Sequence, residues 1–185
     1  MKYAPLRPLV LILADERNPG GTLVSNCQEE TLFRRTCLFA HLGLNKDTFY
    51  PIQDDDLIFV PSVGVIHTDI SRTFLTDFTV KQKCDFIVLP CVKDYTRPSQ
   101  RELYVKLRNK IRSIFQTAIQ FEYKCVILGA LGCGAFGCDS KSVATVFKEV
   151  ANEYKNCGLL IVYSILGKSY DIFKRVLLED NSRDK

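Results

Sequence analysis

Two adjacent glutamates, Glu29 and Glu30, follow a Pro-Gly-Gly turn at the start of a predicted helix. Paired carboxylates can perform acid–base chemistry, and the glycines Gly20 and Gly21 allow a ligand to approach the backbone just before them. Asp15, which follows the first predicted strand, adds a third carboxylate nearby in the sequence. The alternative interpretation is structural, because acidic residues in the first turn of a helix stabilise its dipole.

A second glycine-rich turn lies between residues 129 and 137, which contain four of the ten glycines of the chain. It follows a predicted strand and precedes a helix, so converging backbone N–H groups and the helix N-terminus would form a phosphate cradle. The alternative is a tight connection that binds no ligand. A phosphate-binding turn together with a carboxylate set favours chemistry at a sugar attached to a diphosphate.

Two other nucleotide-binding motifs fit the sequence less well. Residues 132–137 match the dinucleotide fingerprint G-x-G-x-x-G, but that motif is followed by an acidic residue at the end of the next strand, and this strand ends in Ser-Ile-Leu-Gly-Lys-Ser. The Gly-Lys-Ser at residues 167–169 is not a P-loop, because Val162 occupies the position of the first P-loop glycine. We therefore expect neither a nicotinamide site nor a P-loop.

The elements that position these residues alternate between strands and helices. Apolar runs predict strands at Pro8–Leu13, Asp56–Pro61, Val63–Thr68, Cys84–Val92, Lys124–Gly129 and Leu159–Leu166. Helical spacing predicts helices from Gln28 to about Leu42, from Pro98-Ser99 through Ala118, over Ser142–Lys155 and over Tyr170–Leu178. This alternation predicts an α/β domain whose sheet is covered by helices on both faces, with ligands at the carboxyl ends of the strands.

Composition limits the function classes. The 185 residues suit a single domain spanning 1–185 with a short polar tail from about residue 179, and 46% hydrophobic with 25% charged residues is an ordinary globular composition. A net charge of +4 without long basic runs suits an anionic ligand and gives no reason to expect direct nucleic-acid binding. The apolar runs are too short to cross a bilayer, so we expect no membrane association.

The eight cysteines do not form a recognisable disulfide or metal pattern. No C-x-x-C pair occurs, and the chain has only two histidines, His41 and His67. Several cysteines lie in apolar strand-like runs, where the free thiol behaves as a small buried hydrophobe. We therefore expect no metal site and a reduced, intracellular protein of the cytoplasm or nucleus.

The stretch LADERNPGGTLVSNCQEETLFRRTCLF, residues 13–39, resembles the signature of poly(ADP-ribose) glycohydrolases of the microbial type, a branch of the macrodomain fold. That family shows a glycine run, a spacer and then Gln-Glu-Glu. The resemblance continues through DDDLIFVPSVGVIHTD, GALGCGAFG and IVYSILGKSYDIFKRVL, and it covers nearly the whole chain in order. It implies a macrodomain-like mixed sheet flanked by helices, with ADP-ribose bound between the two glycine loops.

The resemblance also implies roles for single residues. Glu30 would be the catalytic acid, which protonates the leaving oxygen and then activates water against an oxocarbenium-like centre. Glu29 would bind hydroxyls of the ribose and its neighbour, and Phe136 would pack on the distal ribose. The predicted ligand-binding residues are Asp15, Asn18, Gly20, Gly21, Thr22, Gln28, Gly132, Cys133, Gly134, Ala135, Phe136, Gly137 and Tyr170. The scheme requires no metal and no cofactor.

The chain departs from the family pattern at several positions. Thr22 replaces the third glycine, the spacer before Gln28 is shorter, and Asp15 and Cys138 stand where the family often has asparagine. We predict an ADP-ribosyl glycohydrolase whose partners are ADP-ribose or ADP-ribosylated proteins, acting as a monomer. The alternatives are a non-catalytic ADP-ribose reader that uses the same crevice and an unrelated nucleotide-binding enzyme.

Overall fold

The computed structural model of the protein describes residues 6–66, 82–91 and 99–179. Within these residues, five strands form one sheet in the order β2-β3-β1-β4-β5. They are β1 Leu9–Ala14, β2 Ile58–Val65, β3 Gln82–Pro90, β4 Cys125–Leu128 and β5 Leu160–Tyr163. The neighbouring strands run parallel except for β2, which is antiparallel to β3. The predicted mixed sheet is thus confirmed.

Helices cover both faces of this sheet, as predicted. They are α1 Gln28–Arg35, α2 Lys46–Phe49, α3 Gln100–Gln120, α4 Ser140–Glu153 and α5 Ser169–Leu178. The alternation of side chains along β1 separates two buried clusters, because successive residues of a strand point to opposite faces. Leu9 and Leu11 pack with α3 and α4, whereas Ile12 and Ala14 pack with α1.

The helix predicted from Gln28 to about Leu42 ends earlier, at Arg35. Thr36 adopts an extended conformation and forms an antiparallel bridge with Val65 at the edge of the sheet. The apolar spacing beyond it belongs to a π-helical turn, Phe39–Gly43. The predicted helix was therefore correct as far as Arg35 and wrong beyond it, because a pairing distant in sequence interrupts the helix.

The two short strands predicted around Pro61 form one strand, β2, with a bulge. Its pairing with β3 shifts register between Val60 and Val63. Proline lacks the N–H that a regular ladder requires, so the chain accommodates it at an irregular position. The N–H of Ser62 instead donates to the buried carboxylate of Asp85 at 2.7 Å. The predicted continuation through His67 and Thr68 lies outside the described residues.

The remaining helix and strand boundaries differ from the predicted ones by a few residues. At the start of α3, Ser99 and Glu102 form a reciprocal capping box, while Pro98 lies outside the described residues. The carboxylate of Asp139 accepts the N–H of Ser142, which places the start of α4 two residues before the predicted one. No helix in the described part of the chain is long and apolar enough to cross a membrane.

Candidate active site

A cavity of about 590 Å³ opens at the carboxyl ends of β1 and β3 and at the loop after β4. This volume lies within the usual range for small-molecule sites, and the location is the one predicted for ligands in such a sheet. The predicted site residues that line it are Asp15, Asn18, Gly21, Thr22, Gln28, Glu29, Glu30, Gly132, Gly134, Ala135 and Phe136. The structure therefore brings the two glycine loops and the glutamate pair together around one cavity.

The side chain of Glu29 is fixed by the backbone on both sides. One carboxylate oxygen accepts the N–H of Asp15 at 2.8 Å, and the other accepts the N–H of Gly20 at 3.0 Å. Only 4% of the residue is exposed. The turn that follows β1 thus binds the first turn of α1 through one carboxylate, and this contact holds Glu29 at the cavity wall.

Burial raises the pKa of Glu29 to about 7. The two backbone hydrogen bonds lower it, and the negative charges of Glu30 and Asp15 raise it further. Desolvation is the dominant cause, since it disfavours the ionised form of a carboxyl group more than these two bonds stabilise it. Glu29 therefore titrates near neutral pH.

Glu30 lies at the same wall in a different environment. It is buried and lines the cavity, but its carboxylate has no hydrogen-bond partner among the described residues. A Cβ atom built on Gly21 would lie 2.5 Å from Oε1 of Glu30, so the carboxylate rests directly on the glycine backbone. Glu29 is fixed by the protein, whereas Glu30 is available to a bound molecule.

Gln28 connects α1 to the sheet through its side-chain amide. Its Oε1 accepts the N–H of Leu13 at 2.7 Å, and its Nε2 donates to the carbonyl of Leu11 at 2.8 Å. Strand β1 pairs with β4 only at Leu9 and Val10, and buried backbone groups beyond that point need another partner. Gln28 borders the cavity while both ends of its amide bind β1.

Asp15 and Asn18 shape the turn at the mouth of the cavity. One oxygen of Asp15 accepts the N–H groups of Arg17 and Asn18, each at 2.8 Å. The side chain of Asn18 accepts from the ammonium of Lys46 at 3.1 Å. The aspartate at the position where the family often has asparagine thus organises the turn that presents Gly20 to Glu29.

Glycine occupies two positions of the second loop, Gly132 and Gly134, for different structural reasons. Gly132 has a φ of 75°, and a Cβ atom there would lie 2.4 Å from the sulfur of Cys91 and 2.7 Å from that of Cys138. A Cβ atom on Gly134 would meet no atom of the described residues within 4 Å, its two chain neighbours apart. Protein packing therefore requires glycine at position 132, whereas at position 134 the open space belongs to the cavity.

Four predicted site residues do not line the cavity. Gly20 acts through its N–H to Glu29, and the thiol of Cys133 lies 3.7 Å from the carbonyl of Leu131. Gly137 has a positive φ and turns the chain towards α4. Tyr170 is 49% exposed on α5, with the ammonium of Lys174 placed 5.9 Å from the centre of its ring.

Sequence reasoning missed Ser25, Cys27 and Cys91, which also line the cavity. Ser25 and Cys27 lie in the spacer between the double glycine and the glutamates, so their position in the sequence was a usable signal. Cys91 directly follows β3, and the rule that ligands bind at the carboxyl ends of parallel strands points to that position. In the part of the chain that the structure describes, no group of three or more histidine, cysteine or acidic side chains is placed to bind a metal ion.

The fold and the site define an α/β domain of macrodomain type in which two glutamates and a glycine-rich loop face one cavity. Residues 2–70 match the family model described as microbial-type PARG, catalytic domain, where PARG is poly(ADP-ribose) glycohydrolase. This segment contains the double glycine and both glutamates, and the match confirms the resemblance to microbial-type PARG. The comparison with curated proteins found no match.

Solved structures of bacterial PARGs share the fold. A mutant PARG from Deinococcus radiodurans in complex with ADP-ribose is 22% identical, with a TM-score of 0.80 over 96% of this chain and 78% of the other. The PARG from Thermomonospora curvata bound to the inhibitor ADP-HPD is 23% identical, with a TM-score of 0.76 over 91% of this chain and 70% of the other. The macrodomain-like fold of this chain is thus that of the bacterial PARG structures.

Proposed function

We propose that this protein is an ADP-ribosyl glycohydrolase, which hydrolyses the glycosidic bond of poly- or protein-linked ADP-ribose. The match of residues 2–70 to the microbial-type PARG catalytic domain supports this function, and so does the fold shared with structures that contain ADP-ribose or an inhibitor. The observation that carries the proposal is the unequal environment of two adjacent glutamates at one cavity wall.

In the proposed reaction Glu30 transfers the proton. Its carboxyl group protonates the oxygen that leaves the anomeric carbon of ribose, and the carbon–oxygen bond breaks. The resulting carboxylate then takes a proton from water as the water oxygen bonds to that carbon, which gives ADP-ribose and a free acceptor. A carboxylate with no hydrogen-bond partner among the described residues suits this role, because a group that transfers a proton must be able to hydrogen-bond to the substrate.

Glu29 has the complementary role of binding ribose hydroxyls. Its two backbone hydrogen bonds fix the carboxyl group, and each oxygen retains a lone pair that can accept from a hydroxyl. A fixed acceptor positions the anomeric carbon beside Glu30, and positioning of this kind is a large part of enzymatic rate enhancement.

The diphosphate would be bound by the backbone of the second loop. The described residues that line the cavity include three carboxylates, on Asp15, Glu29 and Glu30, and no lysine or arginine. Backbone N–H groups of the loop are therefore the proposed donors, except that of Cys133, which donates to the carbonyl of Ala130 at 3.1 Å. The open space beside Gly134 admits the phosphate oxygens. Protonation of Glu29 near neutral pH reduces the repulsion between this acidic wall and the ligand.

Two measurements test the proposal together. Isothermal titration should show that ADP-ribose binds and that AMP, which lacks the second phosphate and the distal ribose, binds much more weakly. A release assay on labelled poly(ADP-ribose) and on mono-ADP-ribosylated protein should yield ADP-ribose. Tight binding without release from either substrate would identify a reader, and equal affinity for AMP and ADP-ribose would contradict the diphosphate assignment.

A further inference from the structure

Two cysteine thiols lie in contact beneath the second glycine loop. The sulfur atoms of Cys91 and Cys138 are 3.8 Å apart, although 47 residues separate them in the sequence. Cys91 directly follows β3 and lines the cavity, whereas Cys138 directly follows the loop. The pair therefore spans the junction between the sheet and the loop proposed to bind the diphosphate.

The loop backbone rests on this pair. A Cβ atom on Gly132 would lie 2.4 Å from one sulfur and 2.7 Å from the other, so the glycine packs against both. The N–H of Cys138 also donates to the carbonyl of Gly132 at 3.0 Å. A displacement of either sulfur would therefore disturb the packing of Gly132 at the start of the loop.

We propose that Cys91 and Cys138 are a redox modification site, at which a peroxide forms a disulfide that weakens ligand binding by the adjoining loop. A disulfide places its sulfur atoms about 2.05 Å apart. Closing the present gap to that length displaces the two sulfurs that support Gly132 and distorts the preformed loop. The effect on ligand binding rests on the proposed function, whereas the disulfide itself does not.

The reaction balances with hydrogen peroxide as the oxidant. The sulfur of Cys91, a residue that lines the cavity, loses its proton and attacks one peroxide oxygen. The oxygen–oxygen bond breaks, and the released hydroxide takes up the proton and becomes water. The sulfur of Cys138 then attacks the resulting sulfenic acid, the sulfur–oxygen bond breaks, and a second water leaves with the Cys138 proton. The two thiols together lose two electrons, which reduce the peroxide.

The environment of the pair sets the conditions of the reaction. The hydrogen bond to Cys138 and burial raise the pKa of Cys91, and the ammonium of Lys110 opposes this rise. A thiol with a raised pKa reacts slowly, so disulfide formation requires sustained exposure to peroxide and not a brief pulse. A ligand that fills the cavity covers Cys91, and ADP-ribose should therefore slow the oxidation.

The disulfide is tested first, without any ligand. The full chain is treated with peroxide, and the loss of one pair of hydrogen atoms is measured by mass. Trypsin should then release a cross-linked pair of peptides, 84–93 and 125–141, which separates on reduction with dithiothreitol. Because these peptides also contain Cys84, Cys125 and Cys133, fragmentation spectra must place the bond between Cys91 and Cys138. A bond elsewhere, or none, would overturn the proposal.

The effect of the disulfide on ligand binding is tested next by titration with ADP-ribose. Cross-linked wild-type protein should bind at least about tenfold more weakly than reduced protein, and dithiothreitol should restore the affinity. Cys91→Ser cannot form the bond, so its affinity with and without peroxide should agree. Cys157→Ser removes an exposed thiol and should behave like the wild type.

These results separate the two proposals. A complete Cys91–Cys138 cross-link that leaves the affinity for ADP-ribose unchanged would overturn the redox coupling. The same conclusion would follow if peroxide lowered the affinity of Cys91→Ser as much as that of the wild type. If Cys91→Ser does not fold, reversal of the wild-type effect by dithiothreitol still decides the question. A protein that forms the cross-link but binds no ADP-ribose in either state would instead contradict the proposed function.

Discussion

Gly21 and Glu30 are in direct contact: a Cβ atom on the glycine would lie 2.5 Å from one oxygen of the glutamate. The glycine also has a φ of 55°, a conformation that other residues adopt at a cost in energy. The first glycine loop and the proposed catalytic carboxylate are therefore one structural unit. This contact explains why a Gly-Gly turn precedes the glutamates in the sequence.

Gly21→Ala should displace the carboxylate of Glu30 and lower turnover strongly. The positive φ should also destabilise the protein by about 1 to 2 kcal/mol. Turnover is measured on labelled poly(ADP-ribose), and stability by urea unfolding. The control is Gly20→Ala, which would clash with Leu23 and Phe33 and not with Glu30. Equal turnover in Gly21→Ala and wild type would show that the position of Glu30 is unimportant for the reaction.

Glu30→Gln should separate binding from catalysis. The amide preserves the shape of the side chain but cannot deliver a proton, so turnover should fall by about a hundredfold or more. Titration should place its affinity for ADP-ribose within a few-fold of the wild type. If Glu30 only stabilises the helix dipole, the substitution would instead lower stability by up to roughly 1 kcal/mol and leave turnover alone.

Glu29→Gln should weaken both ligand binding and turnover. Its amide has one oxygen for two backbone donors, so the N–H of either Asp15 or Gly20 loses its acceptor. An unsatisfied buried donor costs about 1 to 3 kcal/mol. Urea unfolding should measure this cost near pH 4.5, where Glu29 of the folded protein is protonated and its ionisation does not offset the loss. Unchanged stability would mean that these two hydrogen bonds do not contribute to the fold.

The raised pKa of Glu29 predicts a pH dependence of stability. The unfolded chain releases this proton near pH 4.5, whereas the folded chain retains it until about pH 7. Between these values the folded state binds more protons, so the free energy of unfolding should decrease as the pH rises, by roughly 3 kcal/mol in total. The difference between wild type and Glu29→Gln isolates this group, and a difference that does not change over this pH range would contradict the shift.

Gly134→Val should abolish binding of ADP-ribose without unfolding the protein. The Cβ atom of the added side chain would have no atom of the described residues within 4 Å, its chain neighbours apart, and would occupy the space where the phosphate oxygens are proposed to lie. Stability should change by less than about 0.5 kcal/mol, as for surface substitutions. The matched variant Gly132→Ala would clash with two sulfurs and should lose stability instead. Full affinity in Gly134→Val would place the diphosphate elsewhere.

The sequence predicted the features that depend on local patterns. Apolar runs and helical spacing were sufficient for the alternation of strands and helices, and glycine spacing located both loops. The end of α1 could not be predicted, because it depends on the bridge between Thr36 and Val65. The bulge in β2 likewise depends on Asp85, which lies 23 residues beyond Ser62. Both features arise from contacts between distant segments.

Contacts between segments distant in sequence also determine the environments of the two glutamates in the site. The adjacent glutamates were recognisable, but nothing in their sequence distinguishes their environments. The difference arises because the turn after β1 directs the N–H groups of Asp15 and Gly20 at Glu29 and places Gly21 against Glu30. Only the folded path of that turn determines which carboxylate is fixed and which is free to contact substrate.

The amide of Gln28 makes one hydrogen atom a reporter of motion between α1 and β1. The N–H of Leu13 is bonded to this side chain and not to a neighbouring strand. Its exchange with deuterated solvent therefore requires the Gln28 side chain to leave β1, whereas amides in the ladder between β1 and β3 exchange only when the sheet itself opens. Comparing the two exchange rates gives the free energy with which the contact between Gln28 and β1 opens while the rest of the domain stays folded.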